Sequence, residues 1–257
     1  MKPLIEFENV TLSRDGTTAL RNVSFSVAPG EHLAILGPNG SGKSSLMKAI
    51  TRECYPLLGS TIRILGEEVW PLFDLRAIVG IVSNDLLESC TRYQYTGREI
   101  VLSGFFGSIG VWPHHHLTPE MERRGEEVLK LLEIERLADR LTCEMSSGEA
   151  RRFVIGRALV HNPRALVLDE PTTSLDFRAK HELRAALRKL AKAGITIVMV
   201  THTLTDIIPE IGRVILLKNG EVIKDGPKTE VLTAESLSAL FETPVEIVHR
   251  RGYYHIW

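Results

Sequence analysis

The sequence GPNGSGKSS at residues 37–45 decides the fold of this chain. It fits the pattern G-x-x-x-x-G-K-[ST] of a phosphate-binding loop in full. The apolar run HLAILG before it predicts a short buried strand, and SSLMKAI, which begins inside it, predicts a helix. A strand, a glycine-rich loop and a helix in this order are the context that such a loop requires. We therefore expect the loop amides and the helix N-terminus to hold phosphate oxygens.

Every residue of this loop is a candidate for nucleotide binding, namely Gly37, Pro38, Asn39, Gly40, Ser41, Gly42, Lys43, Ser44 and Ser45. The ammonium group of Lys43 is expected to reach the β- and γ-phosphates, and the hydroxyl of Ser44 to ligate Mg²⁺. The loop alone is compatible with kinases, GTPases, motors and ATPases, so a second motif must narrow the chemistry.

That second motif is ALVLDEP at residues 165–171, an apolar run that ends on two carboxylates. Asp169 stands at the end of the predicted strand, where a carboxylate can hold Mg²⁺ directly or through water. Glu170 could orient or deprotonate an attacking water, and such base catalysis contributes ~10²–10⁴-fold. An Asp-Glu pair after a strand can also be a solvated turn. Together with the phosphate loop, however, the pair predicts nucleotide hydrolysis.

The remaining segments predict an α/β chain. LIEFENVTL and VSFSV alternate around a turn at residues 15–16 and predict antiparallel strands. A mixed aromatic and polar stretch with helix signals follows from about residue 84 to 141. Buried strands and a helix that ends near Gly194 then return, with a hairpin at residues 219–220. The tail from about residue 229 predicts one short helix and a polar, aromatic ending.

The stretch MSSGE at residues 145–149 has two readings. Ser146 and Glu149 have the S-x-x-E spacing of a capping box, so the stretch predicts a well-capped helix start. A helix N-terminus with a hydroxyl and a glycine, Gly148, can also hold an anion. The chain would then carry a second phosphate site, about a hundred residues after the first.

Taken together, these motifs resemble those of the ATP-binding cassette (ABC) ATPases over about residues 4–230. MSSGE resembles the family signature, usually LSGGQ, and LVLDEP the acidic strand. SLD at residues 174–176 resembles the segment after that strand, and VTH the switch histidine, His202. The resemblance implies an α/β P-loop NTPase cassette with a mixed β-sheet core, an antiparallel N-terminal β-subdomain and an inserted helical subdomain.

The implied division treats the chain as one ABC ATPase domain. Residues 1–84 and 151–230 would form the nucleotide-binding core with the antiparallel sheet. Residues 85–150 would form the helical lobe, and residues 231–257 a C-terminal tail.

The resemblance also implies an Mg-dependent ATPase that works as a head-to-tail homodimer. Each ATP would lie between the phosphate loop of one protomer and the signature of its partner. The residues implied to act in trans are Ser146, Ser147, Gly148, Glu149 and Asp176. Glu170 and His202 are the implied catalytic residues, with His202 bonding the γ-phosphate and helping to fix Glu170 and the water.

The sequence departs from the family pattern at three places. Asn84 stands where the family usually has a Gln that links Mg²⁺ and water to the helical lobe, so we count Asn84 as a candidate metal ligand with Ser44 and Asp169. Arg14 stands near the position of an aromatic residue that stacks on adenine. A guanidinium can stack there too, or it can be solvated. Ser147 and Glu149 replace the third and last signature positions, Gly and Gln.

The simplest role is the energy-coupling subunit of an ABC transporter, peripheral on the cytoplasmic face of the membrane. The chain has no signal-peptide pattern and no window of about 18 apolar residues, so a polytopic membrane permease would supply the span, and an extracytoplasmic binding protein could supply cargo. REIVLSGFF at residues 98–106 resembles the corresponding stretch in cassettes of metal-chelate and vitamin importers, and also that in molybdenum-transport or photorepair-type ATPases. This favours import of a metal, a metal complex or an oxyanion, with export as a further alternative.

The alternative is a stand-alone cassette that acts on nucleic acid or the ribosome without a transporter. A formal net charge of −1 is not that of a general nucleic-acid binder.

Overall fold

The computed structural model describes residues 2–14 and 16–257. The predicted turn at residues 15–16 includes Asp15, which lies outside the described residues. The strands are β1 (Ile5–Arg14), β2 (Thr17–Val27), β3 (Leu33–Leu36), β4 (Thr61–Ile64), β5 (Val79–Val82), β6 (Ala165–Asp169), β7 (Thr196–Thr201), β8 (Arg213–Lys218), β9 (Glu221–Pro227), β10 (Ile247–Arg250) and β11 (Tyr253–Ile256). The helices are α1 (Lys43–Ile50), α2 (Leu72–Ile78), α3 (Asn84–Thr91), α4 (Gly97–Ser103), α5 (Pro119–Leu131), α6 (Ser147–Leu159), α7 (Phe177–Lys192), α8 (Lys228–Val231) and α9 (Ala234–Phe241).

The N-terminal strands form an antiparallel sheet in the order β2-β1-β4. Successive residues of a strand point to opposite faces, and the alternating burial along β1 follows from this. Phe7 and Phe25 are partners across β1 and β2, and their rings stack with centroids 4.7 Å apart. The predicted antiparallel N-terminal sheet is thereby confirmed.

The central sheet has six strands in the order β5-β6-β7-β3-β8-β9. Neighbouring strands are parallel from β5 to β8, and β8 pairs with β9 as an antiparallel hairpin. Asn219 (φ 51°) and Gly220 (φ 79°) turn this hairpin with the positive φ values of a two-residue type I′ turn. The mixed sheet and the hairpin are as the sequence predicts.

The strand order determines where the predicted site residues meet. Asp169 at the end of β6 pairs with Val200 in β7, and Leu36 at the end of β3 pairs with Thr201. The loops that follow β3, β6 and β7 therefore leave the sheet at the same edge, at adjacent positions. Ligands of parallel sheets bind outside the carboxyl ends of the strands, and the phosphate loop, the acidic pair and His202 all lie there.

Helices α3 to α6 form the inserted helical part of the fold. Helix α6 contacts α3, α4, α5 and the edge strand β5, so it connects the helical part to the central sheet. Phe153 of α6 is fully buried, and a Cβ at Gly97 would lie 2.4 Å from its ring, so α4 can approach α6 only with glycine there. The α/β cassette fold is as predicted. The division of the chain at residues 84, 150 and 230 stays a prediction.

The C-terminal part differs from the single short helix and polar ending that the sequence predicts. It contains α8, α9 and a hairpin of β10 and β11, which contacts the 3-10 turn Leu204–Asp206. Tyr254 is buried and stacks on His249, with ring centroids 4.6 Å apart. Positive φ values at Arg251 and Gly252 form the turn, which Arg-Gly signals more weakly than Asn-Gly. Among the described residues, no helix combines the length and hydropathy needed to cross a membrane.

Candidate nucleotide-binding and catalytic site

The phosphate loop connects β3 to α1, and two of its glycines are required by close backbone contacts. Gly42 is the N-cap of α1 with φ 103°, and a Cβ there would lie 2.5 Å from the carbonyl oxygen of Ala19. A Cβ at Gly37 would lie 2.2 Å from the carbonyl oxygen of Leu217. Larger residues would displace the loop, so its shape rests on these two positions.

Lys43 crosses the loop from the first turn of α1. Its side chain is 5% exposed, and its Nζ donates hydrogen bonds to the carbonyls of Gly37 at 2.8 Å and Pro38 at 2.9 Å. The same Nζ lies 3.9 Å from Oε1 of Glu170. Burial lowers the pKa of Lys43, and the Glu170 and Asp169 carboxylates oppose that shift. The ammonium group is therefore held between the loop and the acidic strand.

A cavity of about 590 Å³ opens beside the loop. Loop residues line it together with Arg14, Glu170 and the 219–220 turn, and the full lining is Arg14, Thr17, Thr18, Ala19, Asn39, Gly40, Gly42, Lys43, Ser44, Ser45, Glu170, Asn219 and Gly220. Within the described part of the chain, the buried Ser41 Oγ has no hydrogen-bond partner. A polar cradle with a buried cation, a helix N-terminus and an unused hydroxyl fits a nucleotide's phosphates.

Asp169 provides the carboxylate expected to hold a metal ion. Burial raises its pKa to about 6, the neighbouring Glu170 adds to this, and Lys43 opposes it. The described residues contain no group of three or more His, Cys, Asp or Glu arranged around a metal position. One carboxylate, together with the exposed hydroxyl of Ser44 in the first turn of α1, fits Mg²⁺, which is usually held by one or two carboxylates plus substrate phosphates.

Glu170 and His202 lie within hydrogen-bond distance of each other. His202 Nδ1 is 2.9 Å from Oε1 of Glu170, and the Thr173 hydroxyl donates to Oε2 at 3.3 Å. The Glu170 backbone has φ 45°, in the left-handed region that costs energy for a residue with a side chain. Its amide donates to the Val200 carbonyl at 2.8 Å, which ties the strained peptide to β7.

Asp206, which was not predicted from the sequence, supports the segment that carries His202. Asp206 is 2% exposed, and the hydroxyls of Thr172 and Thr201 donate to its two oxygens. The Thr201 hydroxyl also accepts from the amide of Thr203 at 3.0 Å, so the chain is held on both sides of His202. The available signal is an acidic residue in the apolar context TLTDII, four residues after His202.

The signature stretch forms the capping box that its spacing predicts. The Ser146 hydroxyl accepts from the Glu149 amide at 3.3 Å, and the Glu149 carboxylate accepts from the Ser146 amide at 2.9 Å. Gly148 is needed within the chain, because a Cβ there would lie 2.5 Å from the Cβ of Ala179. Ser147 is exposed in the first turn of α6. The predicted capping box is therefore confirmed. A capped helix start does not exclude the second interpretation, in which this helix N-terminus holds an anion.

A second cavity, of about 270 Å³, lies at this helix start. Asp176, the N-cap of α7, is part of the lining of this cavity. Its carboxylate accepts a hydrogen bond from the Ala179 amide at 2.7 Å. The full lining is Arg136, Ser146, Gly148, Glu149, Arg152, Asp176, Arg178, Ala179 and Glu182. No residue lines both this cavity and the one at the phosphate loop. The chain thus has two separate polar sites, as the two motifs suggest.

Asn84 begins α3, and its amide oxygen accepts a hydrogen bond from Arg151 at 2.9 Å. Arg151, which follows the signature by two residues, was not predicted as a site residue. The role of Asn84 as a metal ligand stays a prediction.

Comparisons with known proteins agree with this geometry. The family described as ABC transporter matches residues 20–173. The uncharacterised ABC transporter ATP-binding protein YlmA of Bacillus subtilis is 35% identical over 95% of this chain and 93% of its own length. The cell division ATP-binding protein FtsE of Streptococcus pneumoniae is 35% identical over 88% of this chain and 97% of its own.

Solved structures share the whole architecture. A putative metal-chelate type ABC transporter in an inward-facing conformation superposes with a TM-score of 0.80 at 24% identity, covering 100% of this chain and 97% of that one, which shows the fold. The protein cbiO1 of Clostridium perfringens, part of the ABC transporter complex cbiONQ, gives a TM-score of 0.77 at 28% identity, covering 93% of this chain and 94% of that one. A dimeric cassette bound to ADP and Pi gives 0.71 at 28%, covering 87% and 98%. This chain belongs to the ABC transporter family and is one of its ATP-binding, ATP-hydrolysing cassettes.

Proposed function

We propose that the chain is the energy-coupling subunit of an ABC importer for a metal complex or an oxyanion. The observation that carries the ATPase part is the meeting of Lys43, Glu170 and His202 at one sheet edge, with Glu170 within 3.9 Å of Lys43 and 2.9 Å of His202. The metal-chelate type transporter among the structural neighbours supports the cargo class.

The site residues have separate roles in hydrolysis. Lys43, the loop amides and the N-terminus of α1 bind the triphosphate, and Arg14, which lines the same cavity, stacks on the base. Ser44 and Asp169 would hold Mg²⁺, and Asn84 begins α3 with its amide oxygen bonded to Arg151. Bound Mg²⁺ would neutralise phosphate charge. Glu170 orients and deprotonates the attacking water, and His202 holds the Glu170 carboxylate in place.

The second cavity serves the nucleotide of a partner protomer. Ser146, Ser147 and Gly148 present a hydroxyl and a helix N-terminus, and Glu149 and Asp176 lie beside them. Three arginines in the same lining, Arg136, Arg152 and Arg178, offer donors that phosphate oxygens can accept from. Two of them, Arg152 and Arg178, are paired with Glu182 in the single chain, so a partner's triphosphate would compete with that carboxylate. The dimeric cassette that contains ADP and Pi supports a homodimer with ATP between its protomers.

A groove of about 300 Å³ between α3, the edge strand β5 and the C-terminal half of α6 suits a membrane partner. Leu86 and Ile109 line it, and the side chain of Phe73 nearby is 50% exposed. The lining also contains Glu53, Arg76 and Arg157, and such a mixture of apolar and charged groups suits a protein contact. We assign it to a short helix of a polytopic permease, which places the chain on the cytoplasmic face of the membrane and lets a binding protein deliver cargo from the other side.

The test is steady-state phosphate release by the purified chain, alone and in proteoliposomes with the polytopic membrane protein encoded beside its gene. We expect slow hydrolysis alone and stimulation by the membrane protein. Lys43→Ala should abolish ATP binding, whereas Glu170→Gln should keep binding and lose turnover by about 10²-fold or more. Full activity without the membrane protein, together with stimulation by RNA or ribosomes, would contradict the transporter assignment.

A further inference from the structure

Arg151 is a buried arginine that joins three parts of the catalytic region. It lies on α6 and is 3% exposed. Its Nη1 donates to the carbonyl of Glu170 at 3.0 Å, and its Nη2 donates to Oδ1 of Asn84 at 2.9 Å and more weakly to the carbonyl of Thr173 at 3.4 Å. One guanidinium group thus connects the first residue of α3 to the residue after β6 and to the turn that follows.

The charge of Arg151 is costly where it lies. Burial lowers its pKa, and only the more distant carboxylate of Asp206 opposes this shift. Across residues 2–14 and 16–257, Arg151 has no ion pair, and its buried Nε has no hydrogen-bond partner. A position needed only for packing would be filled at lower cost by an apolar side chain. The three acceptors therefore indicate a directional role.

The contact with Glu170 matters because the backbone of that residue is strained. Glu170 has φ 45°, its amide is bonded to Val200, and its carbonyl is bonded to Arg151. These two bonds fix the peptide units on both sides of its Cα, and hence the direction in which the carboxylate leaves the chain. The 2.9 Å contact of that carboxylate with His202 depends on this direction.

We propose that Arg151 is a positioning residue for ATP hydrolysis. It holds Asn84 at the start of α3 to the backbone of Glu170, so that a movement of the helical lobe changes the aim of the catalytic carboxylate. Asn84 then acts on Glu170 through Arg151. This inference rests on the proposed function, because it requires Glu170 to serve the hydrolytic water.

The experiment measures kcat, KM for MgATP and half-saturating Mg²⁺ for the full chain and its variants. Arg151→Met should lower kcat by about tenfold or more, since small misplacements of a catalytic group have effects of this size. KM and half-saturating Mg²⁺ should stay within about twofold, because no binding contact is lost. Arg151→Lys, which keeps the charge but not the two-pronged donor, should give an intermediate kcat.

The matched control is Arg124→Met. Arg124 is a partly buried arginine that also donates to two backbone carbonyls, those of Leu159 and Val160 at the end of α6. The variant Arg124→Met loses backbone contacts of the same kind outside the site, so its kcat should equal that of the wild type. Equal kcat values for Arg151→Met and Arg124→Met would overturn the proposal, and so would a raised KM with unchanged kcat.

A double-mutant cycle tests the link to Asn84 directly. Asn84→Leu removes one of the three acceptors of Arg151 and should lower kcat less than Arg151→Met does. Asn84→Leu added to Arg151→Met should lower kcat little further, since the contact between the two side chains is already lost. Effects that multiply would overturn the link, as would a shift in half-saturating Mg²⁺, which would make Asn84 a metal ligand. If thermal melting shows that Arg151→Met is unfolded, a comparison of Asn84→Leu with Asn84→Asp tests whether Asn84 acts through Arg151. Asn84→Asp keeps an oxygen acceptor for Arg151 and should have a higher kcat than Asn84→Leu. Equal losses of kcat in the two variants would contradict the link between Asn84 and Arg151. A wild-type chain without ATPase activity would instead refute the proposed function.

Discussion

At the scale of single residues, the nucleotide site is organised around Glu170. Its carboxylate lies near Lys43 and His202. Its amide donates a hydrogen bond to Val200 of β7, and its carbonyl accepts one from Arg151. A left-handed backbone at a residue with a side chain persists only where its surroundings fix it, and such strain concentrates at functional sites. The sequence predicts the chemistry of Glu170 from LVLDEP, but these contacts come from distant segments and carry no local signal.

Arg14 is the residue-scale prediction for nucleotide binding. It lines the cavity at the phosphate loop, at the side where Thr17 and Thr18 also contribute. If its guanidinium stacks on adenine, Arg14→Ala should weaken ATP affinity by roughly 0.5–2 kcal/mol, a few-fold to about 30-fold. Isothermal titration with ATP measures the change, and Arg14→Tyr should retain affinity because it restores a stacking surface.

The control for Arg14 is Arg21→Ala. Arg21 lies in β2, is bonded to Glu221, and does not line the cavity. Affinities for Arg14→Ala and Arg14→Tyr that both equal that of Arg21→Ala would show that Arg14 makes no contact with the base.

At the scale of secondary structure elements, the start of α6 serves both the fold and the site. The capping box satisfies helix-end amides with Ser146 and Glu149, and the same helix end faces the second cavity. The spacing S-x-x-E allowed this element to be predicted. The contact of Arg151 with Asn84 of α3 could not be predicted, because the sequence of α6 does not indicate which helix packs beside it.

Glu149 gives the element a pH dependence with a definite sign. Hydrogen bonds from the Ser146 amide, and then from its hydroxyl, lower the pKa of Glu149 from its ordinary value of 4.5. A carboxylate with a lowered folded-state pKa stabilises the fold above its unfolded pKa, and this contribution is lost as pH falls through the folded pKa. Relative to Glu149→Gln, the wild type should therefore have its full stability advantage at neutral pH and lose it below about pH 4.5.

Urea unfolding of both proteins at neutral pH and near pH 4 measures this difference. Glu122→Gln, at an exposed position in the first turn of α5, controls for the loss of a charge near a helix N-terminus. An advantage of the wild type that grows as the pH falls would contradict the capping account.

At the scale of the whole molecule, strands β6, β7 and β3 are neighbours in the central sheet. This order brings together three motifs that are far apart in the sequence, each at the end of one of these strands. The phosphate loop and the acidic pair were predicted from motifs that follow buried strands, and His202 from the resemblance of VTH to the family's switch histidine. The hairpin of β10 and β11 and the network of Asp206 were not, because tertiary packing against the turn Leu204–Asp206 determines them. Local sequence predicts elements and their chemistry, whereas supporting contacts between elements appear only in the fold.

The central claim is that each ATP is bound between two copies of the chain. Size-exclusion chromatography of Glu170→Gln with saturating MgATP tests it most directly, because this variant should bind ATP without hydrolysing it and so retain the closed dimer. We predict elution at twice the mass of one chain with MgATP and as a monomer without nucleotide. The double variant Lys43→Ala, Glu170→Gln should stay monomeric in both. A Glu170→Gln protein that binds ATP and remains a monomer would contradict the shared site.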